Sequence, residues 1–116
     1  MQLMKIGFAV ALGMTALSMA THAECTYPRA PASIPKGATA TEQEMVGAMQ
    51  AFKAYDVDVK TFGACLDQET REKAAGTAQL MQLKTLQSKK LSAAVDELQA
   101  KAREFNEQVR AYKARG

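Results

Sequence analysis

From Met45 onward the chain places an apolar residue at every third or fourth position: Met45, Ala48, Phe52, Tyr55, Val59, Phe62 and Leu66. With 3.6 residues per turn, that alternation keeps all seven side chains on one stripe of an α-helix and winds the stripe as in a coiled coil. Thr41-Glu42-Gln43-Glu44 has the form of a capping box, so the helix begins there. Gly76 is its first clear interruption and reads as a C-terminal cap. A second stripe follows in Leu80, Leu83, Leu91, Val95, Leu98, Ala102, Phe105, Val109 and Tyr112. Arg110, Lys113 and Arg115 close it, cations at the end where the helix dipole favours them. The pattern predicts an all-α fold, a long antiparallel two-helix hairpin with helices over 41–76 and 77–116, about 50 Å in length. A break at Ser88-Lys89-Lys90, giving three helices, is the alternative.

The segment before the first helix has a different pattern. Residues 24–40 contain Pro28, Pro31, Pro35 and Gly37 and cannot be helical. Cys25, Pro28, Pro31 and Ile34 recur every three residues, the period of a polyproline II helix, so an extended strap with one apolar face is expected. On the first helix, Gly47, Ala51, Ala54, Asp58, Thr61 and Cys65 form a stripe of mostly small residues beside the aromatic one, a shallow groove. Cys65 lies about 36 Å along the helix from Thr41, and the strap spans up to about 50 Å. Pro28, Pro31 and Ile34 are therefore expected to lie against Ala51 and Ala54, antiparallel to the helix. Phe52, Phe62, Phe105 and Tyr112 are expected in the core of the hairpin.

Residues 1–23 read as a signal peptide. Lys5 precedes the apolar run Ile6–Ala16, and small residues at Ser18, Ala20, Thr21 and Ala23 offer cleavage after Ala23 or Ala20. The run is shorter than the roughly 20 residues that cross a bilayer, so the mature chain carries no transmembrane segment. Glu24 occupies the position where a lipoprotein signal has a small residue. These features predict export to the periplasm, or secretion, with residues 24–116 forming one domain. In an oxidising compartment Cys25 and Cys65 are expected to pair as a disulfide, free thiols or an intermolecular bridge being the alternatives.

Charge and composition narrow the chemistry. A net charge of +3 over 116 residues lacks the concentrated basic footprint of a nucleic-acid binder. The first helix has seven acids and four bases and the second an excess of bases, so the two attract. Cleavage after Ala23 removes His22, the only histidine. Without imidazole, and with both cysteines paired, Ser-His and Cys-His nucleophiles and zinc or haem ligation are excluded. Asp56-Val57-Asp58 and Asp67-Gln68-Glu69 read as solvated surface, since i,i+2 groups do not face each other on a helix. No catalytic residue, metal or cofactor is expected. The expected action is that of a protein-interaction or structural module, with a homodimer allowed by Met81 and Leu86 off the main stripe. A small-ligand carrier or an enzyme using carboxylates and Tyr27, Tyr55 or Tyr112 is the alternative.

The residues Cys25-x-x-Pro28-x-x-Pro31-x-x-Ile34-Pro35-x-Gly37, then Glu44-Met45, Tyr55, Cys65-Leu66 and Glu69, then Ala94-Val95-Asp96-Glu97-Leu98 and Phe105 through Lys113 are similar to a group of small uncharacterised exported proteins of proteobacteria. The resemblance covers nearly all of residues 24–116. It implies export and a strapped helical hairpin, and it implies no activity.

Overall fold

A computed structural model describes residues 24–116. The expected signal peptide and its cleavage sites lie outside the described residues, apart from the following Glu24.

Helix α1 spans Glu42–Lys73. Thr41 Oγ1 accepts the Glu44 amide and the Glu44 carboxylate accepts the Thr41 amide, both at 3.1 Å, so the capping box is complete. The helix stops short of Gly76: Ala74 is already extended, with its amide bonded to Thr70 O at 3.2 Å. The cause is the end of the apolar stripe, because past Leu66 the next positions on that face are Glu69, Thr70 and Lys73, and packing no longer holds the chain in a helix. Gly76 is not the C-cap of α1. It is the N-cap of α2, which runs Thr77–Ala114, and its carbonyl accepts the first α2 amide, from Leu80, at 2.8 Å. Helix α2 is continuous through Ser88-Lys89-Lys90. It contains neither Gly nor Pro, and Lys89 and Lys90 are good helix formers that point to solvent.

The hairpin is antiparallel, as successive contacts show. Phe52 stacks on Phe105 at 4.8 Å, Gly63 abuts Leu91, and Gln87 Nε2 donates to Glu69 at 3.3 Å. One core cluster gathers Ala40, Met45, Phe52, Tyr55, Val59 and Phe105; a second gathers Phe62, Leu66 and Ala94.

The strap runs back along α1 from Gly37 to Cys25 and is fixed by the Cys25–Cys65 disulfide, with the two Cα atoms 5.7 Å apart. Its direction and far anchor match the reading of the sequence; the groove it occupies does not. Ala51 and Ala54 are exposed and a Cβ on Gly47 would meet nothing, so this part of the small-residue stripe stays open, and only its far end, at Asp58, Thr61 and Cys65, borders the strap. Instead Pro28 is buried, Ala30 and Ile34 pack on the first core cluster, and the Tyr27 ring meets Phe62 edge-on at 5.4 Å. The strap thus lies in the furrow between α1 and α2. That furrow has two walls and large side chains at its floor, so a segment laid in it removes more apolar area from water than one laid on a single helix.

Candidate functional site

Three regions bring chemistry-bearing or apolar side chains together: the strapped face, the disulfide corner and the face opposite the strap.

On the strapped face, Tyr27 from the strap donates its hydroxyl to Glu97 Oε2 of α2 at 3.2 Å. Tyr55 of α1 is buried beneath them, and its hydroxyl finds no partner among the described residues. Desolvation pushes the Tyr27 phenol up, reinforced by the hydrogen bond to Glu97 and its charge. Desolvation also pushes Tyr55 up, followed by the charge of Glu97 and the neighbouring Tyr27. Both tyrosines are therefore held neutral, and Tyr27 alone donates to Glu97. Of the three tyrosines weighed from the sequence, the fold gathers these two; Tyr112 lies at the other end of α2, its ring 4.8 Å beneath the Arg115 guanidinium.

At the disulfide corner, Glu69 Oε2 approaches Cys25 Sγ to 3.4 Å. An oxidised sulfur carries no proton, so this is a contact of a carboxylate with the bridge. Burial pushes the Glu69 carboxyl up, but the Lys73 ammonium at 3.3 Å, the Gln87 amide and Lys90 outweigh it and hold it below the ordinary range. Two clefts flank the bridge, of about 510 Å³ along Tyr27, Arg29, Asp58 and Thr61 and about 290 Å³ along Tyr27, Glu69 and Lys90. The carboxylate pairs singled out in the sequence do not converge. Asp56 pairs with Lys60 at 2.8 Å, Asp67 with Arg71, and Glu69 with Lys73. Among the described residues no three potential metal donors cluster, and no helix is long and apolar enough to cross a membrane.

On the face away from the strap, the furrow between α1 and α2 is open. It measures about 660 Å³ and is floored by Phe52, Leu98 and Ala102 between Met49 and Val57 on one side and Gln99 on the other. Met49 and Val57 are 43% and 57% exposed. Among the described residues, Lys53 and Asp56 are the charged ones that line it.

The sequence reading missed what holds the strap's near end. The Gly37 amide donates to Gln108 Oε1 at 2.9 Å, and a Cβ on Gly37 would stand 1.8 Å from the Gln108 carbonyl oxygen. Glycine is needed there by close approach of two backbones rather than by an unusual dihedral. Arg115, read as a cation complementing the helix dipole, donates to the carbonyls of Gly37 and Ala40. No periodicity or motif marks either contact, since both join positions more than seventy residues apart. Met81 and Leu86, the residues that suggested a dimer, are 61% and 49% exposed at the hairpin tip.

Comparison with protein-family models, curated proteins and solved structures finds no match to this chain.

Proposed function

We propose that this chain is an exported, non-catalytic helical protein of the periplasm or the secreted fraction that acts by presenting its hairpin to another protein, as a chaperone-like or envelope-associated module. The observation that carries the reading is the open furrow opposite the strap, where Met49 and Val57 project beside Phe52 and Leu98. A soluble chain gains nothing by leaving such a strip in water, and grooves of this kind accept an amphipathic helix. The disulfide is compatible with export. Crosslinking in intact cells with photoreactive side chains along α1 tests the reading: adducts should concentrate at positions 46, 49, 53 and 57, and a chain that yields no protein adduct at any of them does not work this way. Amino-terminal sequencing of the envelope fraction, expected to begin at Glu24, tests export.

The cluster of Tyr27, Glu97 and Tyr55 beside the disulfide clefts favours a second reading, a small-ligand carrier or a carboxylate and tyrosine enzyme. Native mass spectrometry of the purified chain separates the two, because a carrier retains a small molecule that Glu97→Gln releases.

A further inference from the structure

Helix α2 buries a different line of residues from the one its sequence marks. The apolar stripe centres on Leu98, Ala102 and Val109, whereas the buried residues are Gln87, Ala94 and Phe105. At 100° per residue the two lines differ by about 40°, so the outer edge of the stripe, at Leu98 and Ala102, borders the open furrow, while Val95 and Val109 pack against the first core cluster. Val95, Ala102 and Val109, spaced by seven, remain only half-buried. Across the furrow stand Met49 and Val57 of α1, also left uncovered. A seven-residue spacing of aliphatic and small side chains is what a second helix packs against.

From this we infer that the open furrow is the interface of a symmetric dimer, in which two hairpins stack face to face as a four-helix bundle with a strap on each outer side. The inference rests on the interaction reading above and names the partner as a second copy. Charge selects the symmetry. A twofold axis across the helices would lay α2 on α2, bringing together the exposed Lys84, Arg103, Arg110 and Lys113 of each copy. A twofold axis parallel to the helices lays α1 of each copy over α2 of the other, and along its open side α1 alternates Lys53, Asp56, Lys60 and Asp67. The second arrangement avoids the like charges, makes every adjacent pair antiparallel, and closes as an isologous twofold. It also preserves the level of residues along the axis. As Phe52 meets Phe105 within one hairpin, Asp56 of one copy comes level with residue 101 of the other, within one helical turn of Arg103.

Sedimentation equilibrium of the oxidised chain at micromolar concentration should give twice the chain mass. Val57→Asp should return it to the single-chain mass with its helical circular dichroism and disulfide intact. A wild-type monomer, or a dimer indifferent to Val57→Asp, overturns the proposal. Asp56→Arg and Arg103→Asp should each raise the dissociation constant several-fold and together restore it; absence of that rescue rules out the α1-over-α2 arrangement. In cells, a photoreactive residue at position 57 should crosslink to another copy. A product with a different protein overturns the dimer while leaving the interaction reading standing, and no product at all overturns both.

Discussion

The stem and the tip of this hairpin are made of the same two helices, yet they bury different things. Around Phe52, Tyr55, Phe62 and Phe105 a third segment, the strap, lies over the furrow, and the buried residues are aromatic and aliphatic. Beyond Leu66 the strap has ended. There the buried side chains are Thr70 and Gln87, while Met81 and Leu86 lie open to water. Thr70 satisfies its hydroxyl within α1, on Leu66 O at 2.9 Å, and Gln87 uses its amide on Glu69. Two helices alone enclose only the line where they touch; a third layer is what turns a stripe into a core.

The disulfide gives the largest test of that contrast. It closes a loop with its ends 40 residues apart, for which the chain-entropy model gives about 4 kcal/mol. Replacing both cysteines by serine should lower the melting temperature by about 15 °C or more in a domain of this size. Hydrogen exchange should quicken in the stem around Tyr55 and Phe62 and change little around Leu83. Equal loss of protection at both ends would show that the strap does not distinguish them.

Truncations in the two regions should differ in the same sense. Phe105→Ala removes a buried ring that stacks on Phe52 and should cost about 3 to 5 kcal/mol. Leu83→Ala, at a half-buried position near the tip, should cost less than about 1.5 kcal/mol, which denaturant unfolding resolves. Similar values would place as much core in the tip as in the stem.

Gly37→Ala probes the strap's near anchor. The added methyl meets the Gln108 carbonyl and the Tyr112 amide, both backbone, so the strap must lift and lose the Gly37 to Gln108 hydrogen bond. The cost should be about 1 to 3 kcal/mol, while Gly47→Ala, with open space around it, should be neutral or stabilising.

The smallest effect carries the opposite sign. Tyr55→Phe deletes a buried hydroxyl that has no partner and should leave stability unchanged or raise it by up to about 1 kcal/mol at neutral pH. It should also flatten an alkaline loss. Tyr55 ionises later in the fold than its ordinary value of 10.0, so stability is full below that value and falls as pH rises through the higher folded one. Thermal melts from pH 7 upward read both effects, and a destabilised Tyr55→Phe protein would mean that the hydroxyl is satisfied.

The parts legible in the sequence are those governed by local rules. Thr41 and Glu44 announce the start of α1 because a capping box is complete within four residues. The prolines forbid a helix before it, the three-four spacing demands one after it, and two cysteines in the chain leave a single intramolecular pairing. Where the local signal was ambiguous, packing resolved it. Gly76 suits a C-cap or an N-cap equally, and only the exhaustion of the stripe after Leu66 decides that α1 ends at Lys73. The stripe of Gly47, Ala51 and Ala54 has the shape of a groove, but a better one arises between the helices, and a furrow between two elements is written in neither of them alone.

The sequence by itself therefore determined the helices, the extended strap, the antiparallel return and the disulfide, since each depends on periodicity, backbone chemistry or reach along a short stretch of chain. Tertiary structure alone decided which furrow holds the strap, which edge of the α2 stripe is buried, why residue 37 must be glycine and where Arg115 reaches. Those outcomes depend on the rotation of one helix about its axis relative to another. That rotation is set by the sum of many side-chain contacts between segments far apart in the chain, a quantity that no window along the sequence contains.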